Sequence, residues 1–353
     1  MKIGVALSGG KDSSLVAALL RRDGHRVIGY HLLLSPDRYG PLPLEEQIAG
    51  VQCLGERLGI ETRIIDGRED FAGEVMEEFA RSYAAGETPN PCVLCNRIFK
   101  FGLLFEAARE DGCDRVASGH YARVVPGEPP VLKQPLPPRR DEAYFLFDLN
   151  PKRLNRIFFP LGEISPGEAK RLVEELLPGF TPLPVSREAC FLSRTGLKSF
   201  LEENLPVRPG KGEIVDREGK VLGEHPGTEF YTVGQRKGLS SASGKKGPLY
   251  VLRVIPEENR VVVGGKADLL TRRIRAVRPN WLSIPAPDGP FTARTKIRYT
   301  HPGAEALITP RQDGGLEIEF TVPQEAPTPG QAAVFYRKDT LLGGAWIRNH
   351  LRG

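Results

Sequence analysis

No run of this sequence approaches the roughly 20 apolar residues that a membrane span requires. Cysteine is scarce: five in 353 residues, too few and too irregularly spaced for a disulfide framework. The chain opens straight into an apolar strand, so neither a signal nor a transit peptide is expected. Its thiols are then expected to stay reduced in the cytoplasm, kept for chemistry. Methionine and tryptophan number two each, against 31 prolines and a preference for arginine, which points towards a thermophile or a GC-rich genome. Neither sign of charge dominates. The 49 Lys and Arg residues exceed the 44 Asp and Glu by enough for a net charge of +5, which permits nucleic-acid binding without demanding it. Internal repeats and low-complexity tracts are also missing, and the length suits two or three domains with proper cores.

What is present is ordered. Apolar strands at Ile3–Leu7, Arg26–Leu34, Glu61–Ile65 and Arg115–Ser118 alternate with helical stretches at Glu45–Leu58, Phe71–Tyr83 and Arg97–Glu110. That alternation predicts an α/β fold built on a doubly wound parallel sheet, with ligands at the carboxyl ends of its strands. From about Pro206 the grammar turns to short strands, at Glu213–Val215, Glu229–Val233, Pro248–Ile255 and Arg260–Val263, a small β-rich domain. Six more strands between Ile274 and Arg348 have the spacing of a β-barrel. The expected boundaries are 1–200, 201–267 and 268–353, and the Pro-rich, basic stretch Pro126–Arg140 reads as a mobile loop.

The first strand runs through Ala6 and Leu7 into Ser8-Gly9-Gly10-Lys11-Asp12-Ser13-Ser14, where an amphipathic helix begins. Glycines let a backbone approach a phosphate closely, and the amides opening a helix point at it with the positive end of the dipole. Ser8, Ser13 and Ser14 add hydroxyl donors, and Asp12 is the candidate ligand for a magnesium ion bridging phosphates. The pattern is neither Gly-x-x-x-x-Gly-Lys-[Ser/Thr] nor Gly-x-Gly-x-x-Gly. It resembles the Ser-Gly-Gly-x-Asp-Ser loop of the PP-loop ATP pyrophosphatases, which implies cleavage of ATP between its α and β phosphates.

A second segment, Thr88-Pro89-Asn90-Pro91-Cys92-Val93-Leu94-Cys95-Asn96-Arg97, puts two cysteines at or just before a helix start. There the dipole, Arg97 and Lys100 are expected to favour thiolate. A structural zinc site lacks its second ligand pair in the sequence, and a thioredoxin-like redox pair does not suit the Pro-Asn-Pro context. The segment resembles the Thr-Pro-Asn-Pro-Asp-x-x-Cys-Asn signature of bacterial tRNA-specific 2-thiouridylases. Further pieces similar to that family follow in order: Ala117–Arg123, Arg140–Leu146, Phe159–Gly162, Ala189-Cys190-Phe191, Gly223-Glu224-His225, Tyr231–Leu239, Arg298-Tyr299 and Pro329–Ala332. The resemblance covers essentially the whole chain.

It implies a sulfurtransferase that adenylates the O2 of uridine 34 in Lys, Glu and Gln tRNAs, using ATP and Mg2+ and a sulfur donor protein or sulfide. Neither a membrane nor DNA is an expected partner. Cys190 would carry a persulfide and Cys95 would be the second catalytic cysteine, closing a disulfide with it; standing alone, Cys190 beside Phe191 and Leu192 reads better as a core thiol. Implied ATP contacts are Ala6, Leu7, Ser8, Gly9, Gly10, Lys11, Asp12, Ser13, Leu32 and Gly119, with Leu32 nearly as well read as plain core. Implied tRNA contacts are Asn90, Pro91, Cys92, His120, Arg140, Asp141, Glu142, Arg298, Tyr299 and Gln331.

One departure matters: the family usually carries Asp where this chain has Cys92. Cys92, Cys95 and Cys190 then resemble the ligand set of those PP-loop sulfur transferases that hold a [4Fe-4S] cluster with one open iron. The alternative is that Cys92 replaces Asp with little consequence. Two other functional classes stay open in the residues alone. One is a PP-loop ligase without a sulfur step, and the other a non-catalytic RNA-binding or iron–sulfur protein. Cys53 and Cys113 have no partner motif and read as structural.

Overall fold

A computed structural model describes residues 1–136, 140–184, 189–205, 210–239 and 247–350. The first sheet is built from β1 (Lys2–Ala6), β2 (Arg26–Leu33), β3 (Glu61–Asp66), β4 (Arg115–Ala117) and, after a hairpin of β5 (Arg123–Val125) and β6 (Val131–Lys133), β7 (Ile157–Phe158). Its strands lie in the order β3-β2-β1-β4-β7, every neighbour parallel. Ile3 and Val5 on β1 and Val27 and Ile28 on β2 are buried, because a parallel sheet covered by helices on both faces excludes water from both. Those helices are α1 (Lys11–Arg22), α2 (Leu44–Leu58), α3 (residues 68–84), α4 (residues 91–110) and α5 (Pro166–Leu176). From β1 the chain winds to β2 and β3 on one side, then crosses to β4 on the other. The strand order therefore reverses between β1 and β4, and the carboxyl ends of those two strands open a crevice.

Beyond α6 (Gly196–Asn204), β8 (Gly212–Val215), β9 (Val221–His225), β10 (Tyr250–Ile255) and β11 (Arg260–Gly264) form a small sheet around Ile214, Val251, Val261 and Val263. The strand expected at Glu229–Val233 is absent. Thr228–Phe230 is a helical turn, and Gly234 follows at φ 88°. Apolar and aromatic residues there suggested a strand, but Thr228 and Glu229 are buried polar residues of a turn rather than the outer face of a ladder. The last six strands are β12 (Leu270–Trp281), β13 (Phe291–Lys296), β14 (Ala304–Pro310), β15 (Leu316–Glu325), β16 (Ala332–Arg337) and β17 (Thr340–His350). They run antiparallel and close on themselves through β12 and β17 around Ile274, Ile308, Ile318, Phe320 and Phe335.

The stretch expected to be a mobile loop is partly a strand. β6 pairs with β17 of the barrel, Leu132 opposite Leu341, and Leu132 is wholly buried. Asp339 accepts from Arg123 at 2.8 Å and from Lys133 at 3.3 Å, tying the hairpin down. The Pro-rich flanks hid a short Val-Leu-Lys strand whose partner lies some 200 residues away in sequence. Residues 137–139 of that stretch lie outside the described residues. Just beyond them, the Asp141 carboxylate sits 3.0 Å from the Lys296 ammonium of the barrel, both side chains being less than 10% exposed. Gln134 also donates to Asp141 at 2.7 Å. Truncating one member of such a buried pair leaves the other charged and unsolvated. Asp141→Ala is expected to lower unfolding free energy by about 3–5 kcal/mol, read by urea denaturation. Asp141→Asn combined with Lys296→Met should recover most of it.

Candidate active site

Gly9 turns the chain out of β1 with φ 74°, a conformation that side chains rarely adopt, and Gly10 leads into α1. The Ser8 and Ser13 hydroxyls lie 3.0 Å apart across the loop, and Ser13 and Ser14 both donate to the Gly10 carbonyl. Ala6 and Leu7 are the strand end that fixes this loop, Leu7 accepting at its carbonyl from the buried His31 ring at 2.9 Å. In this form Leu183 lies over Gly9, its amide donating to the Gly9 carbonyl at 3.0 Å. Leu32, near the end of β2, packs half-buried against two cores and lines the same end of the sheet.

From the other side of the crevice comes Gly119, just past β4. A Cβ there would stand 2.9 Å from the Ser13 amide nitrogen and 3.0 Å from the Asp12 carbonyl carbon, so only glycine lets the two strand ends meet. Around this contact the Asp12 carboxylate gathers three partners. Arg140 donates at 3.1 Å, the Tyr121 hydroxyl at 3.2 Å, and Lys11 lies at 3.9 Å. The Arg140 guanidinium also rests 4.7 Å over the Tyr121 ring. Glu142 accepts from the Tyr121 amide, and burial pushes its carboxyl up.

Thr88–Pro91 is held from the barrel. The Thr88 amide donates to the Pro329 carbonyl, and the Gln331 side chain donates to the carbonyls of Thr88 at 2.9 Å and Pro89 at 3.4 Å. Gly330, at φ 87°, approaches so closely that a Cβ would press on the Thr88 backbone at 2.8–2.9 Å. Asn90 is buried and hydrogen-bonds the Tyr144 hydroxyl, which itself bonds Ala332. Pro91 opens α4 at a position where its missing amide hydrogen costs nothing. Cys92 and Cys95 are thus in the helix's first turn, and immediately afterwards Asn96–Leu103 widens into a π-type coil that carries Lys100. Such widenings concentrate at functional sites.

Cys92 and Cys190 reach the surface and Cys95 is buried; all three are free thiols whose charges influence one another. Here the expectation of thiolate fails. Desolvation pushes Cys95 up to about 12 and Cys190 up to about 11, and raises Cys92 as well. Cys92 and Cys190 have solvent at one edge, but the protein crowding their other sides strips the anion of hydration, so upward is the sign to keep. A helix dipole contributes about 0.3–1 kcal/mol, less than the roughly 1.4 kcal/mol of a single pKa unit. Among the described residues, Lys100 is the cation that opposes this shift at all three thiols, and it also acts on Glu142 and on His120. Lys100 therefore stands where the thiol group and the crevice meet. His120 is bonded to Ser118 at 2.7 Å and packed against Phe101 and Phe159, and burial drives its pKa well below the ordinary value, so it stays neutral. As to a cluster, no group of three His, Cys, Asp or Glu among the described residues is arranged to hold a metal ion.

Three family models match this chain. They are a tRNA methyl transferase HUP domain over residues 1–194, a tRNA methyl transferase PRC-barrel domain over 198–265, and an aminomethyltransferase β-barrel domain over 271–347. The tRNA-specific 2-thiouridylase MnmA of Pelobacter propionicus is 41% identical over 98% of this chain and 97% of its own. Its namesake in Synechococcus is 40% identical over 97% and 93%. The chain belongs to the tRNA-specific 2-thiouridylase family. Among solved structures, the U34-tRNA thiolase NcsA of Methanococcus maripaludis with its [4Fe-4S] cluster matches at 23% identity and a TM-score of 0.37, covering 58% of this chain and 67% of that one, a likeness too slight to argue from.

For a 2-thiouridylase, the positions carried over by resemblance fall into two kinds. Ser8–Ser13, Gly119, Arg140, Glu142, His120, Cys92, Cys95 and Cys190 border one continuous region, linked by the contacts above. Asp141, Asn90 and Gln331 instead spend their polar atoms on internal partners. Tyr299 stacks on Phe145 with ring centroids 4.7 Å apart, and Arg298 donates to the Glu325 carbonyl. Tyr121 as a partner of Asp12, and the reach of Lys100 beyond the thiols to Glu142 and His120, are not among the expectations from the sequence. Cys113 is buried beside the Tyr30 hydroxyl and Cys53 is exposed, both away from the site.

Gly119→Ala is expected to shift the start of α1, cost about 1–3 kcal/mol of stability, and weaken nucleotide binding at least several-fold, read by thermal melting and calorimetry. With Cys190 pushed up to about 11, its alkylation by iodoacetamide should keep rising with pH through 9 and 10 without a plateau. Lys100→Met, removing a charge that lowers the thiol pKa, should slow that alkylation at every pH in this range; mass spectrometry of the Cys190 peptide measures both.

Proposed function

We propose that this protein is an ATP-dependent tRNA uridine 2-sulfurtransferase of the cytoplasm. The observation that carries the reading is a pyrophosphatase-type loop joined, through Glu142 and Lys100, to a group of three free cysteines. A urea-type carbonyl oxygen leaves poorly, and these two halves answer that difficulty in sequence. The methyl-transfer wording of the family models offers no use for such a pairing.

In the first half the uridine O2 attacks the α-phosphorus of ATP and pyrophosphate departs. In this reading the Ser8 and Ser13 hydroxyls and the amides opening α1 bind phosphate oxygens, and Asp12 is the carboxylate suited to a magnesium ion, which neutralises phosphate charge when bound. In the second half a persulfide on Cys190 attacks C2 with its outer sulfur, and AMP leaves with the former O2. Cys95 then attacks the inner sulfur as a thiolate. The S–S bond breaks, sulfur stays on C2, and a Cys95–Cys190 disulfide remains for an external thiol reductant to reopen. Lys100 favours each anionic sulfur in turn. The substrates proposed are Lys, Glu and Gln tRNAs at uridine 34, with the base splayed out of its loop. Pro91, Cys92, His120, Arg298 and Tyr299 border its path in this reading, while Asn90, Asp141 and Gln331 act by position. On this route the donor to Cys190 is a protein persulfide, whose sulfur already stands at the persulfide level; free sulfide would serve only the cluster route.

The deciding assay purifies the protein without oxygen, determines iron and acid-labile sulfide, and measures thiolation of a Glu tRNA transcript with ATP and Mg2+. Iron-free protein given a persulfide donor is expected to turn over, and Cys95→Ser or Cys190→Ser to abolish it. About four irons per chain, with activity lost in Cys92→Ala and on chelation, would replace this sulfur route with the cluster route. Adenylation that survives in Cys190→Ser without any thiolation in the wild type would mean a ligase, not a sulfurtransferase.

A further inference from the structure

We propose that Arg140 is a phosphate-binding residue of the nucleotide site, parked on the Asp12 carboxylate until a nucleotide and its divalent cation arrive. This rests on the ATP-using function proposed above. Three observations carry it. First, the Arg140 guanidinium is paired with Asp12, 3.1 Å away, at the opening of α1, where phosphate is expected. Second, it is not an incidental surface pair. The guanidinium lies over the Tyr121 ring, and the Tyr121 hydroxyl holds the other Asp12 oxygen, so ring, cation and carboxylate form one closed set. Third, the backbone at this point is anchored. The next residue, Asp141, is buried against Lys296 and Gln134, so Arg140 projects from a fixed point between barrel and crevice.

A carboxylate beside a polyphosphate is repelled unless a cation lies between them. Without nucleotide, Arg140 supplies that neutralisation. When a divalent cation takes Asp12, the guanidinium loses its partner beside newly arrived phosphate oxygens, which it can bind bidentately. Swinging from one anion to the other keeps the charge paired throughout. It also needs little movement of a side chain whose guanidinium already lies over the Tyr121 ring beside the opening of α1 and whose neighbouring backbone is held at Asp141. The arginine thereby belongs to the nucleotide rather than only to the RNA.

The test uses the full-length protein and a non-hydrolysable ATP analogue with Mg2+, titrated by calorimetry, alongside binding of a Glu tRNA transcript without nucleotide. Arg140→Gln is expected to weaken the analogue about ten-fold or more, equivalent to about 1.4 kcal/mol. Arg140→Lys, a point charge without the fork, should fall between the two, and tRNA affinity should move less than about three-fold. Unchanged melting temperatures establish that both variants fold. Analogue affinity equal to wild type in Arg140→Gln overturns the proposal. So does a variant in which only tRNA affinity drops, which would make Arg140 an RNA contact alone. Failure of the wild type itself to bind the analogue would instead remove the ATP-using function on which the proposal rests.

Discussion

The site depends on the way the barrel grips a segment that has no rigid structure of its own. Thr88–Asn90 leads into α4 outside any helix or strand, and its polar groups are met by the Pro329 carbonyl and the Gln331 side chain. Gly330 lets the two backbones touch. A second attachment, Asp141 with Lys296, fixes the stretch that carries Arg140 and Glu142. Both attachments are formed across more than 150 residues of sequence. The geometry around Cys92 and Cys95 is therefore a property of the assembled chain, since within the first 200 residues the segment leading into their helix lacks its Pro329 and Gln331 partners.

Electrostatics in the thiol group is set by desolvation, with Lys100 as the counterweight. A high thiol pKa keeps the cysteines protonated and inert while no substrate is present. The same low polarity strengthens any interaction between Lys100 and an anionic sulfur once one forms. A persulfide is more acidic than a thiol, so sulfur delivered to Cys190 would ionise where the bare thiol does not. Reactivity then follows loading with sulfur, and exposure of Cys190 at the surface suits delivery by another molecule.

Much of this was legible in the sequence because it is local. The apolar runs of β1 and β2, the Ser-Gly-Gly turn and the spacing of the barrel strands all declare themselves within a dozen residues. What stayed hidden is non-local. The β6 strand exists because β17 lies beside it, and no period within Pro126–Arg140 reveals that partner. The turn at Thr228–Phe230 buries two polar side chains, Thr228 and Glu229, where a propensity for strand expects a ladder. The sign of the cysteine shifts follows the same rule. A helix start is visible in the sequence, whereas the crowding that outweighs it is made by residues from elsewhere in the chain.

The burial pattern of α4 joins these two scales. A helix from Pro91 to Glu110 that covered one core would show one apolar stripe, and Phe99, Phe101 and Leu104 do not fit one. All three are nevertheless buried, because the helix packs into two cores: Phe99 lies in the one that holds Cys95, and Phe101 and Leu104 lie in the other. Phe101 packs on His120 while Lys100, one residue earlier, keeps its charge among the thiols and Glu142. Adjacent residues point to different faces of a helix, so packing and charge make no conflicting demand on this one. One helix thereby serves both the cores and the charge of the site.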